Sequence, residues 1–386
     1  MTSRAHRFDV FCRVVDNFGD AGVALRLSRQ LANEHGTAVT LWIDDVARLA
    51  HIAGGVDTLQ RDQRHERVRI RSLADPAQLA DLALPDVVVE TFGCGVPELY
   101  LDAMERASRS PVWLNLEHLS AEPWVETMHG LPSPHPKRAL QRWFLFPGFT
   151  PATGGLLRER DLFAERDRQA VDPASRAAPW TSLGLPAPAS DALAVSLFCY
   201  HNDALPALLS AWRDDDAPVA CIVPEGVASF ALVSLLGGHV PRARGLHTAG
   251  ALTIAVAPFV DQHAFDRRLW ASDLNIVRGE DSFLRAQWAA KPFVWTIYPQ
   301  SERAHVAKLS AFVDRYGNGL DAALREPLIR FWNALNSQDA AETAAAWRPL
   351  RAALPGLRSH AVAWADSLAD QADLATQLVD FASNKL

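Results

Sequence analysis

Short apolar runs alternate with helical patterns along the first half of the chain. The apolar runs lie at 8–15, 38–44, 68–73, 86–92, 112–116 and 143–147. Near-continuous apolar runs of this length are typical of strands that are buried on both faces of a parallel sheet. Helical periodicity appears between the runs, for example at 21–35 and 97–108. The alternation therefore predicts an α/β domain with a doubly wound parallel sheet.

The same alternation returns in the second half after an interruption. Residues 168–192 are rich in proline, alanine and serine and have no sustained period, which favours an interdomain linker. Further apolar runs follow at 193–200, 218–223, 251–257, 274–277 and 293–298, and the last segment, 356–386, has helical spacing.

These patterns predict three parts of the chain. They are an N-terminal Rossmann-like domain at 1–180, a C-terminal Rossmann-like domain at 190–360, and a helical segment at 361–386 that crosses back to the N-terminal domain. Two such domains that face each other across a cleft, closed by a terminal helix, describe the glycosyltransferase B architecture. Other two-domain α/β proteins share this outline, so the pattern by itself predicts only the fold class.

Composition limits the kind of partner and the compartment. The chain has 386 residues, of which 49% are hydrophobic and 22% are charged, and its net charge is −7. An acidic balance provides no broad basic surface for nucleic acid or anionic lipid. No apolar stretch reaches 18 residues, and the N-terminus lacks a signal-peptide pattern. The four cysteines form no CxxC pair, so we expect reduced core thiols in a cytoplasmic protein without a membrane span.

Two aspartates follow the first predicted strand, in the segment VVDNFGDAG at 14–22. Asp16 and Asp20, with Asn17 and Gly19 between them, connect the carboxyl end of that strand to the next helix, where open α/β sheets place ligands. Because a helix N-terminus is itself an anion site, carboxylates here favour a cationic or protic group over phosphate. The alternative is a structural Asx turn with a helix N-cap, which is common for aspartate and glycine in such loops.

A second strand-to-helix loop, VRGEDSF at 277–283, carries both charges. Asp281 or Ser282 is placed to cap the following helix, whose N-terminus attracts anions, and Arg278 adds a fork of donors. This combination is typical of a pyrophosphate cradle. The alternative is simple capping, with Arg278 and Glu280 forming a surface ion pair.

Aromatic and amide side chains follow two more predicted strands of the second domain. Phe259 and Gln262 lie in the segment PFVDQHAFD at 258–266, and Phe198 and Tyr200 end the run at 193–200. Rings can stack on a base and an amide can bind the base or its ribose, although isolated aromatic residues are more often part of a core. Three strand ends that converge on one sheet edge favour a nucleotide site.

Several catalytic and cofactor motifs are absent from the sequence. It contains no GxGxxG, no GxxxxGK[ST] and no HExxH, which argues against a dinucleotide dehydrogenase, a P-loop NTPase and a zinc protease. The run Asp214-Asp215-Asp216 matches the DxD element that holds a metal in other glycosyltransferases, but it precedes the strand at 218–223. It therefore belongs to the amino edge of the sheet, and we interpret it as a solvated loop rather than a metal site.

Three separate segments resemble one known family. FDVFCRVVDNFGDAGVALRLSRQL, LNLEHLSAEPWVETMHGLPSPHP and IVRGEDSFLRAQWAAKPFVWTIYPQ are similar to motifs of the EarP family, the protein-arginine rhamnosyltransferases that modify bacterial elongation factor P. The resemblance covers nearly the whole chain, in order. It implies a glycosyltransferase B fold, dTDP-β-L-rhamnose as the donor substrate, no cofactor or metal, and an arginine of elongation factor P as the acceptor, with inversion at the anomeric carbon.

The resemblance also implies roles for individual residues. Asp20 is the candidate general base with Asp16 beside it, and Glu280 is a further essential carboxylate. The residues implied to bind the donor nucleotide-sugar are Arg278, Asp281, Ser282, Phe259, Gln262, Tyr200, Phe198, Asn17 and Gly19.

Two other functions stay open from the sequence. One is an inverting transferase of the same architecture with a carbohydrate or small-molecule acceptor. The other is a non-catalytic protein that binds a nucleotide-sugar or docks a partner, which would tolerate changes at the acidic positions.

Overall fold

The computed structural model describes residues 6–16, 18–74, 79, 83–239, 243–299 and 304–386. Asn17, one of the predicted donor-binding residues, lies outside the described residues. The described chain divides into two compact units. The first unit contains the residues up to Arg160 together with Leu368–Leu386, and the second contains Asp161–Ser367.

The first unit is built on an eight-stranded sheet with helices. Its strands are β1 (Arg7–Cys12), β2 (Ala38–Ile43), β3 (Asp62–His65), β4 (Val68–Ser72), β5 (Val87–Thr91), β6 (Val112–Leu116), β7 (Pro132–Pro134) and β8 (Gln141–Leu145). Its helices are α1 (Gly19–Glu34), α2 (Val46–Ile52), α3 (Glu98–Arg106), α4 (Trp124–Met128) and, from the end of the chain, α14 (Leu374–Ser383). The strand order is β3-β4-β2-β1-β5-β6-β8-β7, which places β1 next to β2 and β5.

The second unit is built on a six-stranded sheet of order β11-β12-β10-β9-β13-β14. Its strands are β9 (Leu193–Leu197), β10 (Val219–Pro224), β11 (Leu246–Ala249), β12 (Leu252–Ala257), β13 (Leu274–Arg278) and β14 (Phe293–Thr296). Its helices are α5 (Leu162–Val171), α6 (Ala178–Thr181), α7 (Leu205–Arg213), α8 (Ser229–Leu235), α9 (Gln262–Ala271), α10 (Asp281–Trp288), α11 (Ala304–Tyr316), α12 (Ala322–Asn336) and most of α13 (Ala340–Ala369).

The predicted α/β class is confirmed, with parallel strands in the centre of both sheets. Every residue of β5 and of β10 is buried, as two-sided burial in a parallel sheet requires. Each sheet also has antiparallel edge pairs, β3 with β4, β7 with β8, and β11 with β12. The sequence pattern did not predict β3, β7 and β11 because they are short and partly exposed, with the sequences DQRH, PSP and LHTA.

The predicted linker at 168–192 instead belongs to the second unit, where a few buried residues anchor it. The chain enters that unit at Asp161, earlier than the predicted domain boundary at 180. The segment contains the end of α5 and all of α6. Its Trp180 is buried in an apolar cluster with Leu183 and Ala192. A proline-rich composition was misleading here because one buried tryptophan anchors the segment.

The end of the chain, Leu368–Leu386, belongs to the first unit and contains the last residues of α13 and all of α14. The helical segment breaks between α13, which ends at Ala369, and α14. Asp373 caps α14 by accepting a hydrogen bond from the Thr376 N–H, and it also accepts one from Gln30 Nε2 of α1 at 2.8 Å. This contact ties the end of the chain to α1, the helix that begins within the segment DNFGDAG at 16–22, which we call the DNFGDAG loop.

Buried aromatic side chains account for much of the core. Five of the twelve tryptophans are almost completely buried, namely Trp42, Trp212, Trp288, Trp332 and Trp347. The four cysteines are all unpaired thiols. Among the described residues, no helix is both long enough and apolar enough to cross a membrane.

Candidate active site

Asp20 occupies the first turn of α1, immediately after the carboxyl end of β1. Its side chain is buried, and Oδ2 accepts hydrogen bonds from the N–H groups of Val15 at 2.8 Å and Asp16 at 2.9 Å. The Gly19 N–H donates to the Asp16 carbonyl at 2.7 Å and closes the turn between them. The loop therefore fixes one carboxylate oxygen, Oδ2, with its own backbone.

The helix N-cap that formed part of the structural alternative for this loop is not observed. The residue at the N-cap of α1 is Phe18, and no side chain caps this helix. Asp20 bonds instead to amides that precede it by four and five residues, so it organises the loop rather than the helix end. Asp16 is half-buried and its backbone amide contacts the Asp20 carboxylate.

A further aspartate supports this loop from the neighbouring strand. Oδ1 of Asp44, just beyond β2, accepts a hydrogen bond from the Val14 N–H at 2.9 Å. The sequence pattern gave no reason to single out Asp44, because its contact depends on β2 lying beside β1 in the sheet. Asp20 and Asp44 therefore hold this loop through their carboxylates, and Asp16 takes part through its backbone N–H.

The corresponding loop of the second unit connects β13 to α10. Gly279 has a φ of 60°, a backbone conformation that favours glycine, and its carbonyl accepts a hydrogen bond from Trp295 Nε1 at 2.9 Å. Glu280 is the N-cap residue of α10 and is half-buried. No side chain caps α10, so the prediction that Asp281 or Ser282 caps it is wrong.

Ser282 instead closes the loop upon itself. Its hydroxyl donates to the carbonyl of Arg278 and accepts from the Arg278 N–H at 3.1 Å. Because Ser282 is buried, this pair of bonds fixes the backbone from which the Arg278 side chain extends. The serine therefore positions the arginine, which capping alone would not require.

The Arg278 guanidinium lies on the aromatic residues that follow β9. Its Cζ is 4.3 Å from the ring centroid of Phe198 and 5.0 Å from that of Tyr200. Nη1 donates a hydrogen bond to the Cys199 carbonyl at 3.2 Å. These contacts hold a planar cation at the carboxyl ends of β9 and β13, which are paired strands. A cation held in this way is suited to bind an anionic group.

The other predicted nucleotide-binding residues surround this arginine. Phe198 contacts Phe259 edge-on, with centroids 6.2 Å apart. Gln262 is buried at the start of α9, and its Nε2 donates to Oδ2 of Asp281 at 3.2 Å. The structure therefore brings together in the second unit seven predicted donor-site residues: Phe198, Tyr200, Phe259, Gln262, Arg278, Asp281 and Ser282. It places Asp16, Gly19 and Asp20 in the first unit.

The sequence analysis missed Tyr298, which extends this aromatic group. Tyr298 is about half exposed and contacts Tyr200 edge-on at a centroid distance of 5.3 Å. It follows β14, so the same strand-end rule that selected Tyr200 also applies to it. A buried ion pair lies behind the group, with Arg285 Nη2 of α10 at 2.8 Å from Oδ2 of Asp266 on α9.

The run Asp214–Asp216 is a structural element, although it is not a fully solvated loop. Asp215 is buried beneath α13, where its Oδ2 accepts a hydrogen bond from Trp347 Nε1 at 2.6 Å and lies 2.7 Å from Arg351 Nη1. Asp214 pairs with Arg213 at the surface. Within the described part of the chain, no group of three or more histidine, cysteine, aspartate or glutamate side chains is arranged to hold a metal ion.

Comparison with known proteins identifies the family. The model of the Elongation-Factor P (EF-P) rhamnosyltransferase family EarP matches residues 8–383. The chain belongs to this family. Curated relatives named protein-arginine rhamnosyltransferase include those of Pseudomonas putida, 45% identical over 98% of this chain and 99% of the relative, and Pseudomonas aeruginosa, 43% identical over 97% and 98%.

Solved structures give the same family and fold. A structure described as the basis for EarP-mediated arginine glycosylation of translation elongation factor EF-P is 35% identical, covers 99% of this chain and 100% of its own, and has a TM-score of 0.70. An α-glucosyltransferase solved with UDP and DNA has a TM-score of 0.51 at 10% identity, covering 98% of this chain and 100% of its own. The likeness to this glucosyltransferase concerns the fold alone. The predicted glycosyltransferase B architecture and the predicted EarP resemblance are confirmed.

Proposed function

We propose that this protein transfers L-rhamnose from dTDP-β-L-rhamnose to an arginine side chain of translation elongation factor P. The first unit binds the acceptor arginine and the second binds the donor nucleotide. The anomeric configuration inverts, no metal takes part, and the reaction occurs in the cytoplasm. The observation that carries the proposal is the buried Asp20 carboxylate, held through one oxygen by two backbone amides.

A guanidinium group requires such a carboxylate because it is a poor nucleophile. Its pKa exceeds about 12 and its lone pairs are delocalised over a plane. An ionised carboxylate can hold it through charge-assisted hydrogen bonds and so direct one nitrogen at the anomeric carbon. Proton transfer to Asp20 then accompanies or follows formation of the carbon–nitrogen bond, when the attacking nitrogen has become far more acidic. Asp16 orients the guanidinium beside it.

The donor side requires stabilisation of negative charge on the departing dTDP. The transition state resembles an oxocarbenium ion, as in glycoside hydrolysis. Arg278 and the N-terminus of α10 stabilise the pyrophosphate, while the rings of Phe198, Tyr200 and Phe259 hold the thymidine. Gln262 and Asp281 join α9 to α10 at this site, and Glu280 supplies a further carboxylate at the start of α10. Metal is not needed in this scheme because the guanidinium of Arg278 supplies the positive charge.

Mass spectrometry tests the proposal directly. Elongation factor P from the same organism is incubated with the protein and dTDP-β-L-rhamnose in two separate reactions, one with EDTA and one with Mg²⁺. We expect a mass gain of one deoxyhexose on an arginine in both cases. A gain on a carbohydrate acceptor instead would indicate another inverting transferase, and binding of dTDP-rhamnose without any transfer would indicate a non-catalytic protein.

A further inference from the structure

A stacked aromatic pair lies at the same sheet edge as the DNFGDAG loop and has no part in the function proposed above. Phe92 follows β5 and His118 follows β6. Their ring centroids are 4.2 Å apart with 6° between the planes. His118 is exposed and Phe92 is half-buried, so the imidazole forms the outer layer of the stack.

The backbone at Phe92 is held in an unfavourable conformation to present this ring. Its φ is 58°, in the left-handed region that residues other than glycine rarely adopt. The Phe92 N–H donates to the Leu116 carbonyl at 2.7 Å, and the next N–H, of Gly93, donates to Oδ1 of Asn115 at 3.1 Å. Strain of this kind in an ordered turn is concentrated at binding and catalytic sites.

Direct contacts place this turn beside the carboxyl end of β1, from which the chain continues into the DNFGDAG loop. The Thr91 hydroxyl donates to the Phe11 carbonyl at 2.8 Å, and Cys94 Sγ lies 3.4 Å from the same oxygen. β5 lies beside β1 in the sheet, with Glu90 opposite Phe11. The turn that carries Phe92 therefore follows β5 at the same sheet edge at which the chain leaves β1 toward Asp16 and Asp20.

We propose that the stacked pair of Phe92 and His118 forms the planar seat on which the acceptor arginine lies. This inference rests on the proposed function, in which Asp20 and Asp16 attract the guanidinium by charge. Charge alone does not set the plane of the group, and a lysine would satisfy it equally well. A flat ring face at the same sheet edge as the carboxylates fixes the guanidinium plane and so selects arginine, because only a planar cation can stack on it.

The test compares ring-removing and ring-keeping variants at pH 8, above the usual titration range of imidazole. His118→Ala and Phe92→Asn remove a ring, and asparagine tolerates the left-handed backbone at position 92. His118→Phe and Phe92→Tyr keep a planar ring at each position. For the first two we expect the KM for elongation factor P to rise about three- to thirtyfold, with dTDP affinity within about twofold of wild type. The ring-keeping variants should stay within about threefold of the wild-type KM.

A second measurement separates a seat for arginine from a general docking role. The affinity of each variant is measured for elongation factor P and for a version whose acceptor arginine is replaced by lysine. The wild-type protein should prefer the arginine form, and the preference should shrink in His118→Ala by the same factor as its KM rises. An unchanged KM, or equal losses for both forms, would overturn the proposal, as would a KM that rises equally in the ring-keeping variants. If the wild-type protein leaves elongation factor P unmodified, both the proposed function and the seat are overturned. If the wild-type protein modifies the factor and His118→Ala and Phe92→Asn have the wild-type KM, the seat alone is overturned.

Discussion

Two groups of aspartates in this protein lie on similar loops but are held in different ways. In the DNFGDAG loop, Asp20 is buried and bonded by two backbone amides of its own loop. In the run Asp214–Asp216, Asp215 is buried as well, but its partners are the side chains of Trp347 and Arg351, more than 130 residues away in sequence. Burial and charge alone do not separate the two aspartates.

The two aspartates differ in which end of a strand they lie near and in the groups that bind their carboxylates. Asp20 follows the carboxyl end of β1, where the helix that comes next leaves room for a ligand. Asp215 precedes the amino end of β10, and the cation of Arg351 already neutralises it. The Asp20 carboxylate is bound by neutral amides, so no cation among those partners offsets its charge, whereas the charge of Asp215 is offset by Arg351.

The largest effect that this comparison predicts is on turnover of the Asp20→Asn variant. The amide oxygen can still accept from Val15 and Asp16, so the loop is kept, but the proposed base is lost. We expect the rate of rhamnose transfer to fall about 10³-fold, with dTDP affinity unchanged. Transfer rates by mass spectrometry and dTDP affinity by calorimetry check this, with Asp214→Asn at the surface as the matched control. Normal turnover of Asp20→Asn would remove Asp20 as the base.

The Asp215→Asn variant should show the opposite behaviour. Loss of the charged partner of Trp347 and Arg351 should lower the free energy of unfolding by about 2 kcal/mol, with transfer per folded molecule unchanged. Burial raises the pKa of Asp215, but the hydrogen bonds from Trp347 and Arg351 outweigh it and lower the pKa overall. The stabilisation is therefore present above the ordinary pKa of aspartate and is lost as the pH falls through the lowered value.

Urea denaturation between pH 3 and pH 7 measures this effect. The gap in stability between wild type and Asp215→Asn should be widest near pH 7 and narrow in acid. Asp216→Asn is the control, because Asp216 is exposed and its 3.4 Å pair with Arg348 should contribute less than about 0.5 kcal/mol. A loss of transfer activity in folded Asp215→Asn would contradict the distinction between the two groups.

The Arg278→Ala variant tests a positively charged residue at the carboxyl end of a strand, in contrast to the aspartates. Removal of the guanidinium from the rings of Phe198 and Tyr200 should weaken dTDP binding about thirtyfold, or ~2 kcal/mol. Calorimetric titration with dTDP measures it, and Arg213→Ala, at a surface ion pair, is the control. Unchanged affinity would exclude Arg278 from the pyrophosphate site.

The smallest predicted effect concerns Asp44→Ala. Its exposed carboxylate bonds the Val14 N–H and supports the DNFGDAG loop from outside. We expect a two- to fivefold fall in transfer rate, since an exposed hydrogen bond contributes about 0.5–1 kcal/mol. A fall as large as that of Asp20→Asn would show that Asp44 is itself a catalytic group, which steady-state kinetics would reveal.

The sequence predicted the central strands of both sheets because each is a mostly apolar run that is almost entirely buried. It also predicted the donor-site cluster, since strand ends of a parallel sheet meet at one edge and carry Tyr200, Gln262 and Arg278 there. It did not predict the edge strand β3, nor that Trp180 anchors the supposed linker. Those features depend on partners that are distant in sequence, and local composition does not encode them.

By itself, the sequence determined which residues lie at or after the carboxyl ends of the strands, and Asp16, Asp20 and Arg278 are among them. Only the tertiary structure decided what holds each of them. It showed Asp20 bonded to loop amides, Arg278 stacked on rings and Asp215 paired beneath α13. The reason is physical: strand ends follow from local hydrophobic pattern, whereas the partner of a buried charge comes from whichever distant segment packs against it.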